Sequence, residues 1–71
     1  MKKNPFIMKN NYLKLISNNY VIIENYGEIT NISSYEVIST NYTVKGEELI
    51  VKKVDGYYLE IAGKISCIIV N

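Results

Sequence analysis

Short runs of Val, Ile, Tyr and Thr fill this sequence, and turn-forming residues separate the runs. The breaks recur about every 8–12 residues, a spacing typical of all-β domains. β-branched and aromatic residues favour the pleated surface of a sheet, and no window carries the apolar stripe of an amphipathic helix. We therefore predict about seven or eight short strands in a simple up-and-down order.

The predicted fold class is all-β: a single small antiparallel meander folded into a sandwich or roll. The domain covers residues 12–70, and residues 1–11 form a short N-terminal tail. A short β-helix-like coil is the alternative, since strands that end at glycine can also stack on one another. A chain of 71 residues buries only about 60% of its unfolded surface. We therefore expect self-association or a binding partner to complete the core.

Four glycines are predicted to lie at structural turns, where strands end or the sheet bends: Gly27, Gly46, Gly56 and Gly63. Asp55-Gly56 is the strongest hairpin signal, because a type I′ turn favours this dipeptide between two strand-like runs. Such a turn needs a positive φ at Gly56, so a Gly56→Val change should destabilise the fold strongly. Residues 44–46 and 61–63 both place a β-branched residue two positions before a glycine, but two copies are too few for a repeat.

Alternation within the later runs predicts which side chains face the core. The predicted inward set is Leu49, Val51, Tyr57, Leu59, Ile61, Ile65, Cys67 and Ile69. In this position Cys67 is a small apolar core residue and not a nucleophile. Tyr58 alternates with this set and is predicted to face outward.

The residue types that build most catalytic and metal sites are missing from this chain. It has no His, no Arg and a single Cys, so it lacks an imidazole base, a bidentate anion clamp and an internal disulfide. Glu47 and Glu48 adjoin in a polar stretch where water keeps both carboxylates ionised. We therefore predict that the protein is not an enzyme and that it binds no cofactor, metal or small-molecule substrate.

Hydropathy and the N-terminus indicate where such a chain would act. No apolar run approaches the roughly 18 residues that a spanning helix needs. Two lysines open the sequence, but the apolar stretch after them stops at Lys9, which is too short for a signal peptide. A lone cysteine without an export signal favours the cytoplasm.

Tyr58, Lys52 and Lys53 form the predicted interaction surface. Tyrosine supplies contact area at a low entropic cost, and an unpaired edge strand can dock another chain by sheet extension. A small nucleic-acid-binding β-barrel is the alternative, because tyrosines can stack on bases. A formal net charge of only +1 and the absence of arginine weigh against that alternative. We therefore expect a protein partner and no nucleic acid.

Four segments, in this order, resemble the YabP/YqfC family of sporulation proteins. Residues 21–27 (VIIENYG) resemble a family segment with Ile-Glu-Asn before a turn, and residues 35–38 (YEVI) resemble the strand after it. Residues 44–51 (VKGEELIV) are similar to the family's I-x-G-x-x-L-x-I block, and residues 59–65 (LEIAGKI) to its closing I-x-I-x-G-x-I block. The likeness covers nearly the whole of residues 12–70, and the Glu-Asn pair is closer to the YqfC branch.

The resemblance implies a non-enzymatic structural protein of endospore-forming bacteria that acts as a scaffold or adaptor through protein–protein contacts. It implies a place in the mother-cell cytoplasm, peripheral to the forespore membrane, with a membrane protein of the sporulation pathway as partner. It carries over no catalytic or ligand residue. The chain departs from the family in a shorter hairpin between Val37 and Gly46 and in a reduced N-terminal extension, which weakens any membrane-proximal contact there.

Overall fold

The structure, a computed structural model, describes residues 12–71. It contains six strands: β1 (Tyr12–Ser17), β2 (Tyr20–Glu24), β3 (Ile29–Ile32), β4 (Glu36–Ser39), β5 (Tyr42–Val54) and β6 (Tyr58–Val70). Every strand pair is antiparallel, and no described residue lies in a helix. The predicted all-β antiparallel fold is therefore confirmed. The predicted tail at residues 1–11 lies outside the described residues.

The strands form one sheet in the order β1-β2-β6-β5-β4-β3. Strands β3 to β6 follow one another as a meander, and the β1–β2 hairpin joins the other side of β6. The order is thus not purely up-and-down, because the last strand lies between β2 and β5. Antiparallel neighbours in every pair also distinguish this sheet from the β-helix-like coil.

Strands β5 and β6 are 13 residues long each, and a bend crosses both near the middle. Register shifts in the β5–β6 ladder mark the bend. Gly46 lies against the backbone carbonyl of Lys64, and a Cβ on Gly63 would lie 2.5 Å from the carbonyl oxygen of Glu48. The strand ends predicted at Gly46 and Gly63 are therefore wrong. Each glycine lies inside a continuous strand and lets the two backbones approach closely. Segments expected to be separate strands are therefore joined in β5 and in β6, and six strands form instead of seven or eight.

The sheet curls over itself at this bend and encloses a single core. The largest fully buried side chains are Ile23, Leu59, Ile61, Val21, Val37 and Val44. They come from β2 and the first half of β6 on one side of the bend, and from β4 and the first half of β5 on the other. A flat layer without helices would leave both of its faces in water, so burial this complete requires the two halves to face each other. The fold is therefore a roll made from one sheet.

The connection from β2 to β3 crosses the end of this roll. It consists of residues 25–28, although β2 and β3 are four places apart in the sheet. Tyr26 is buried, its hydroxyl donates to the carbonyl oxygen of Asp55 at 2.5 Å, and its own carbonyl accepts from the Asn41 N–H at 3.1 Å. Gly27 has a φ of 88° and lies at the turn that the sequence predicts.

An approximate two-fold exchange of strands relates the two halves of the sheet. Exchanging β1 with β3, β2 with β4 and β5 with β6 gives the same strand order, counted from the opposite side of the sheet. Both glycines at the bend donate to the neighbouring hairpin turn, Gly63 to the Asn19 carbonyl at 3.0 Å and Gly46 to the Tyr35 carbonyl at 2.9 Å. The sequence pattern shared by the segments around these two glycines therefore has a structural basis.

The β5–β6 turn lies at Asp55-Gly56 as predicted, but it is not a type I′ turn. Gly56 has no positive φ, and Asp55 closes the turn with its side chain. Its Oδ1 accepts from the N–H groups of Tyr57 and Tyr58 at 2.9 and 2.6 Å. Nothing lies within 4 Å of a Cβ at Gly56. The strong effect predicted for Gly56→Val therefore rests on a turn type that the structure does not contain.

Candidate interaction surface

The described sheet ends on β1 and β3, each of which has a neighbour on one side only. Residues 50–54 of β5 form a further open edge, here named the charged edge. Upstream of it, the β3–β4 turn covers β5, because the Ser34 carbonyl accepts from the Leu49 N–H at 2.9 Å. Beyond that point β6 is the only strand that pairs with β5 within residues 12–71. Lys52 and Lys53 lie exposed on this edge. The predicted pair of lysines therefore marks a strand that is free to extend.

Residues 66–70 of β6 form another open edge, here named the neutral edge. The β1–β2 turn covers β6 up to Ile65, whose N–H donates to the Asn18 carbonyl at 3.0 Å. Beyond that point β5 is the only neighbour of β6 in the described part of the chain. This edge carries no charged residue, and its Ile69 and Val70 are 42% and 71% exposed. Sequence reasoning missed this edge, although its uncharged run was visible.

Tyr58 begins β6 and lies opposite Glu24 of β2, so β5 separates it from the open side of the charged edge. It is partly exposed, and its ring meets the ring of Tyr57 edge-on, with centroids 5.8 Å apart. A hydrogen bond to Glu24, together with the charge of that carboxylate, raises the pKa of the Tyr58 hydroxyl above 10.0. All three predicted surface residues therefore lie at the turn end of the β5–β6 hairpin, where Val54 is paired with Leu59. They are Tyr58, Lys52 and Lys53.

A second tyrosine–carboxylate pair lies on the same two strands. The Tyr20 hydroxyl of β2 donates to Glu60 of β6, and this bond is the main reason that the pKa of Tyr20 is raised. Tyr58 of β6 bonds in the reverse direction to Glu24 of β2. The two pairs tie β2 to β6 through side chains as well as through the backbone. They also occupy both carboxylates, so this face presents tyrosine–glutamate pairs and not free acids.

Cys67 and Ile69 do not face the core, so this part of the predicted inward set is wrong. Cys67 is exposed, and Ile65 and Ile68 are the β6 residues that pack against the core from this half. A register shift near Cys67 adds a residue to β6 and reverses the alternation. Tyr57 is also exposed, because it lies in the turn before β6 begins.

Other members of the inward set are placed as predicted. Leu59 and Ile61 are fully buried, Leu49 is buried, and Val51 packs against the core from a partly buried position. Leu59 and Ile61 lie where β6 has no extra residue, and the register shift in this part of the ladder falls in β5 after Val51. Alternation is a reliable guide to facing only where no extra residue interrupts it.

The described lysines lie on several strands and do not line one groove. Lys14 belongs to β1, Lys45 to the first half of β5, and Lys64 to the bend of β6, and all three are exposed. Lys64 pairs with Glu48 at 3.9 Å with both side chains largely in water, so the pair adds little stability. Adjacent lysines within residues 12–71 therefore occur at the charged edge alone.

No residue group in the described range 12–71 has the composition of a metal site, since it holds no cluster of three or more His, Cys, Asp or Glu. A shallow depression is lined by residues 26–29 at the β2–β3 connection. Within the same range, no helix is long and apolar enough to cross a membrane. The charged edge and the neutral edge differ from the outer sides of β1 and β3, because each belongs to a strand that is paired on both sides elsewhere along its length.

No protein-family model, no curated protein and no solved structure matches this chain. Function is therefore inferred from the two edges and from the segments that resemble the YabP/YqfC family.

Proposed function

We propose that this protein is a non-enzymatic scaffold or adaptor that acts through protein–protein contacts. The observation that supports this most directly is the charged edge, a strand segment whose outward main-chain groups have no partner within residues 12–71. Such edges accept a strand from another chain. The exposed ring of Tyr57, in the turn that follows this edge, adds contact area that an incoming chain can bury. Sheet extension needs no catalytic group, which suits a chain without histidine or arginine.

The side chains at the charged edge define what kind of partner fits. Lys52 and Lys53 favour an acidic extended segment, because like charges opposite each other would repel and opposite charges attract. Tyr57 and Tyr58 are partly exposed at the same end of the β5–β6 hairpin, Tyr57 in the turn and Tyr58 at the start of β6. We therefore propose an extended, acidic segment of a partner protein as the occupant of the charged edge.

The sequence resemblance supports a setting in sporulation. We propose that the protein acts in the mother cell, peripheral to the forespore membrane, where it joins a membrane protein of the sporulation pathway to other components. The partner segment would then be a cytoplasmic part of that membrane protein. Its acidic character is the property that the charged edge requires.

The test compares two double variants in an endospore-forming host. Lys52→Glu with Lys53→Glu reverses the charged edge, and Lys45→Glu with Lys64→Glu changes the net charge equally at exposed positions elsewhere. We expect one forespore membrane protein to copurify with the wild type and the control but not with the edge variant. Restoration of binding by lysines placed in the acidic segment of that protein would establish direct contact. Equal binding by all three forms would contradict the proposal.

A nucleic-acid-binding barrel is the competing function, and the same variants separate the two. The turn end of the β5–β6 hairpin carries two lysines and two exposed tyrosines, the residue types that hold single strands. Binding of single-stranded DNA or RNA that weakens with salt and disappears in the edge variant would replace the adaptor function. No shift at low salt would exclude nucleic acid as the partner.

A further inference from the structure

The charged edge and the neutral edge occupy equivalent places in the approximate two-fold arrangement but differ in charge. The charged edge carries Lys52 and Lys53, which disfavour pairing with a second copy of this edge because like charges repel, while an acidic strand can still pair there. The neutral edge, residues 66–70 with the sequence SCIIV, carries no charge and no proline. It therefore lacks the usual protection at the place where its counterpart has it.

The hydrogen-bonding pattern shows which main-chain groups the neutral edge presents. The Asn71 N–H donates to the Asn41 carbonyl at 2.9 Å, so the pair formed by these two residues is a hydrogen-bonded one. Inward-bonded and outward-facing residues alternate along an antiparallel strand. The N–H and C=O groups of Ile68 and Val70 therefore point away from β5, toward the open side. These groups can bond to a second strand without breaking any bond within the molecule.

We propose that the neutral edge pairs antiparallel with the neutral edge of a second copy of this chain. The two-fold axis passes between Ile68 of one copy and Ile68 of the other. This register pairs all of residues 66–70. Ser66 then lies opposite the partner's Val70, and Cys67 lies opposite the partner's Ile69. The contact joins two six-stranded sheets into one continuous sheet, and it closes on itself as an isologous dimer.

The lack of charged residues on the neutral edge favours a second copy of this chain as the strand that pairs with it. Self-pairing of the neutral edge places no charged residue against another, whereas self-pairing of the charged edge would bring Lys52 and Lys53 against a second pair of lysines. Pairing of the neutral edge with the charged edge would place uncharged side chains beside both lysines and would build an open filament. Two copies of the neutral edge can therefore pair along its whole length without placing one charged residue opposite another.

This inference goes beyond the adaptor function because it concerns the other edge, and it does not depend on the partner proposed there. Its test is sedimentation of the full chain from micromolar to millimolar concentration, since a contact of this length is at the weak end of interfaces. Val70→Pro removes an outward N–H at the neutral edge. Val54→Pro is its matched control, because the Asp55–Tyr58 bond makes Val54 an outward-facing residue on the charged edge.

We expect the wild type and Val54→Pro to form dimers and Val70→Pro to dimerise about tenfold or more weakly, since one hydrogen bond is lost on each copy. Circular dichroism would verify that both variants keep the β fold. A wild type that stays monomeric at millimolar concentration would overturn the proposal, while the adaptor function would stand. Loss of assembly in Val54→Pro, or growth into filaments, would also overturn it, because the charged edge would then take part.

Disulfide formation tests the register. Opposed residues that are not hydrogen-bonded have Cα atoms about 4.5 Å apart, within the range that a disulfide spans. We expect Ile69→Cys to give an oxidised dimer through Cys67 of the other copy, and Ile50→Cys on the charged edge to give none. An equally efficient disulfide in the wild type would join Cys67 of one copy to Cys67 of the other, and it would overturn the proposed register.

Discussion

Asp55 organises the β5–β6 turn through its side chain. Its carboxylate accepts the N–H groups of Tyr58 and Tyr57, so the turn closes without a left-handed residue. These two bonds, the one from Tyr58 first, lower the pKa of Asp55 below 3.8, because they stabilise the charged form. The turn that carries Tyr57 and Tyr58 therefore depends on one ionised side chain.

The pH dependence of stability follows from this lowered pKa. The folded state prefers the carboxylate, so the stabilisation is complete above the unfolded pKa of 3.8 and is lost as pH falls through the lower folded pKa. Asp55→Ala should lower the urea midpoint at neutral pH. Asp55→Asn keeps an oxygen acceptor and should abolish the contribution of this residue to acid sensitivity. Unchanged acid sensitivity in Asp55→Asn would show that other carboxylates determine it.

At the scale of the element, the bent β5–β6 hairpin is the structural centre of the molecule. Its two strands contribute residues to both halves of the core, and the charged edge and the neutral edge belong to them. The bend requires close backbone contact at Gly46 and Gly63, and Gly63 adopts a φ of 132° that other residues rarely adopt. Glu48 takes a φ of 54° where β5 bulges. The bend thus depends on backbone geometry more than on side-chain packing.

Alanine substitutions test this dependence. Gly46→Ala and Gly63→Ala should each cost about 1–3 kcal/mol or more, because the added Cβ meets backbone atoms that cannot move independently. Gly56→Ala is the matched control and should stay within about 0.5 kcal/mol of the wild type, since its Cβ would have open space. Urea denaturation measures all three. A similar loss in Gly56→Ala would show that the turn, not the bend, is the sensitive place.

At the scale of the whole molecule, both halves of the roll share one core. Ile61 and Val44 take equivalent positions, two residues before the glycines of the bend, and both are fully buried. A chain of this length has a free energy of unfolding of about 4–11 kcal/mol. Neither half is covered by other elements of the described chain, so each depends on the other to exclude water.

This dependence predicts a single cooperative transition. Ile61→Ala should cost about 2–5 kcal/mol and Val44→Ala somewhat less, through lost burial and the cavity that remains. Both variants should move the same transition, with the same midpoint by circular dichroism and by tyrosine fluorescence. Two separated transitions, each sensitive to only one variant, would mean that the halves fold independently.

Local pattern was sufficient to predict the strand class, the hairpin turn at Asp55-Gly56 and the burial of Leu59 and Ile61. Alternation and turn propensity act between neighbouring residues, so they can be read along the chain. The exposure of Tyr58, Lys52 and Lys53 could be predicted in the same way, because charge and alternation are local properties, whereas the open side of their hairpin could not.

Long-range contacts decided the rest. The position of β6 between β2 and β5 joins segments far apart in sequence, and no local signal encodes such a pairing. Gly46 and Gly63 have turn-like chemistry, but only the facing backbone shows that they bend two long strands and do not end them. The bulge near Cys67 exposes a residue that alternation alone would bury. The neutral edge exists for the same reason, because a strand becomes an edge only when the rest of the sheet leaves it uncovered.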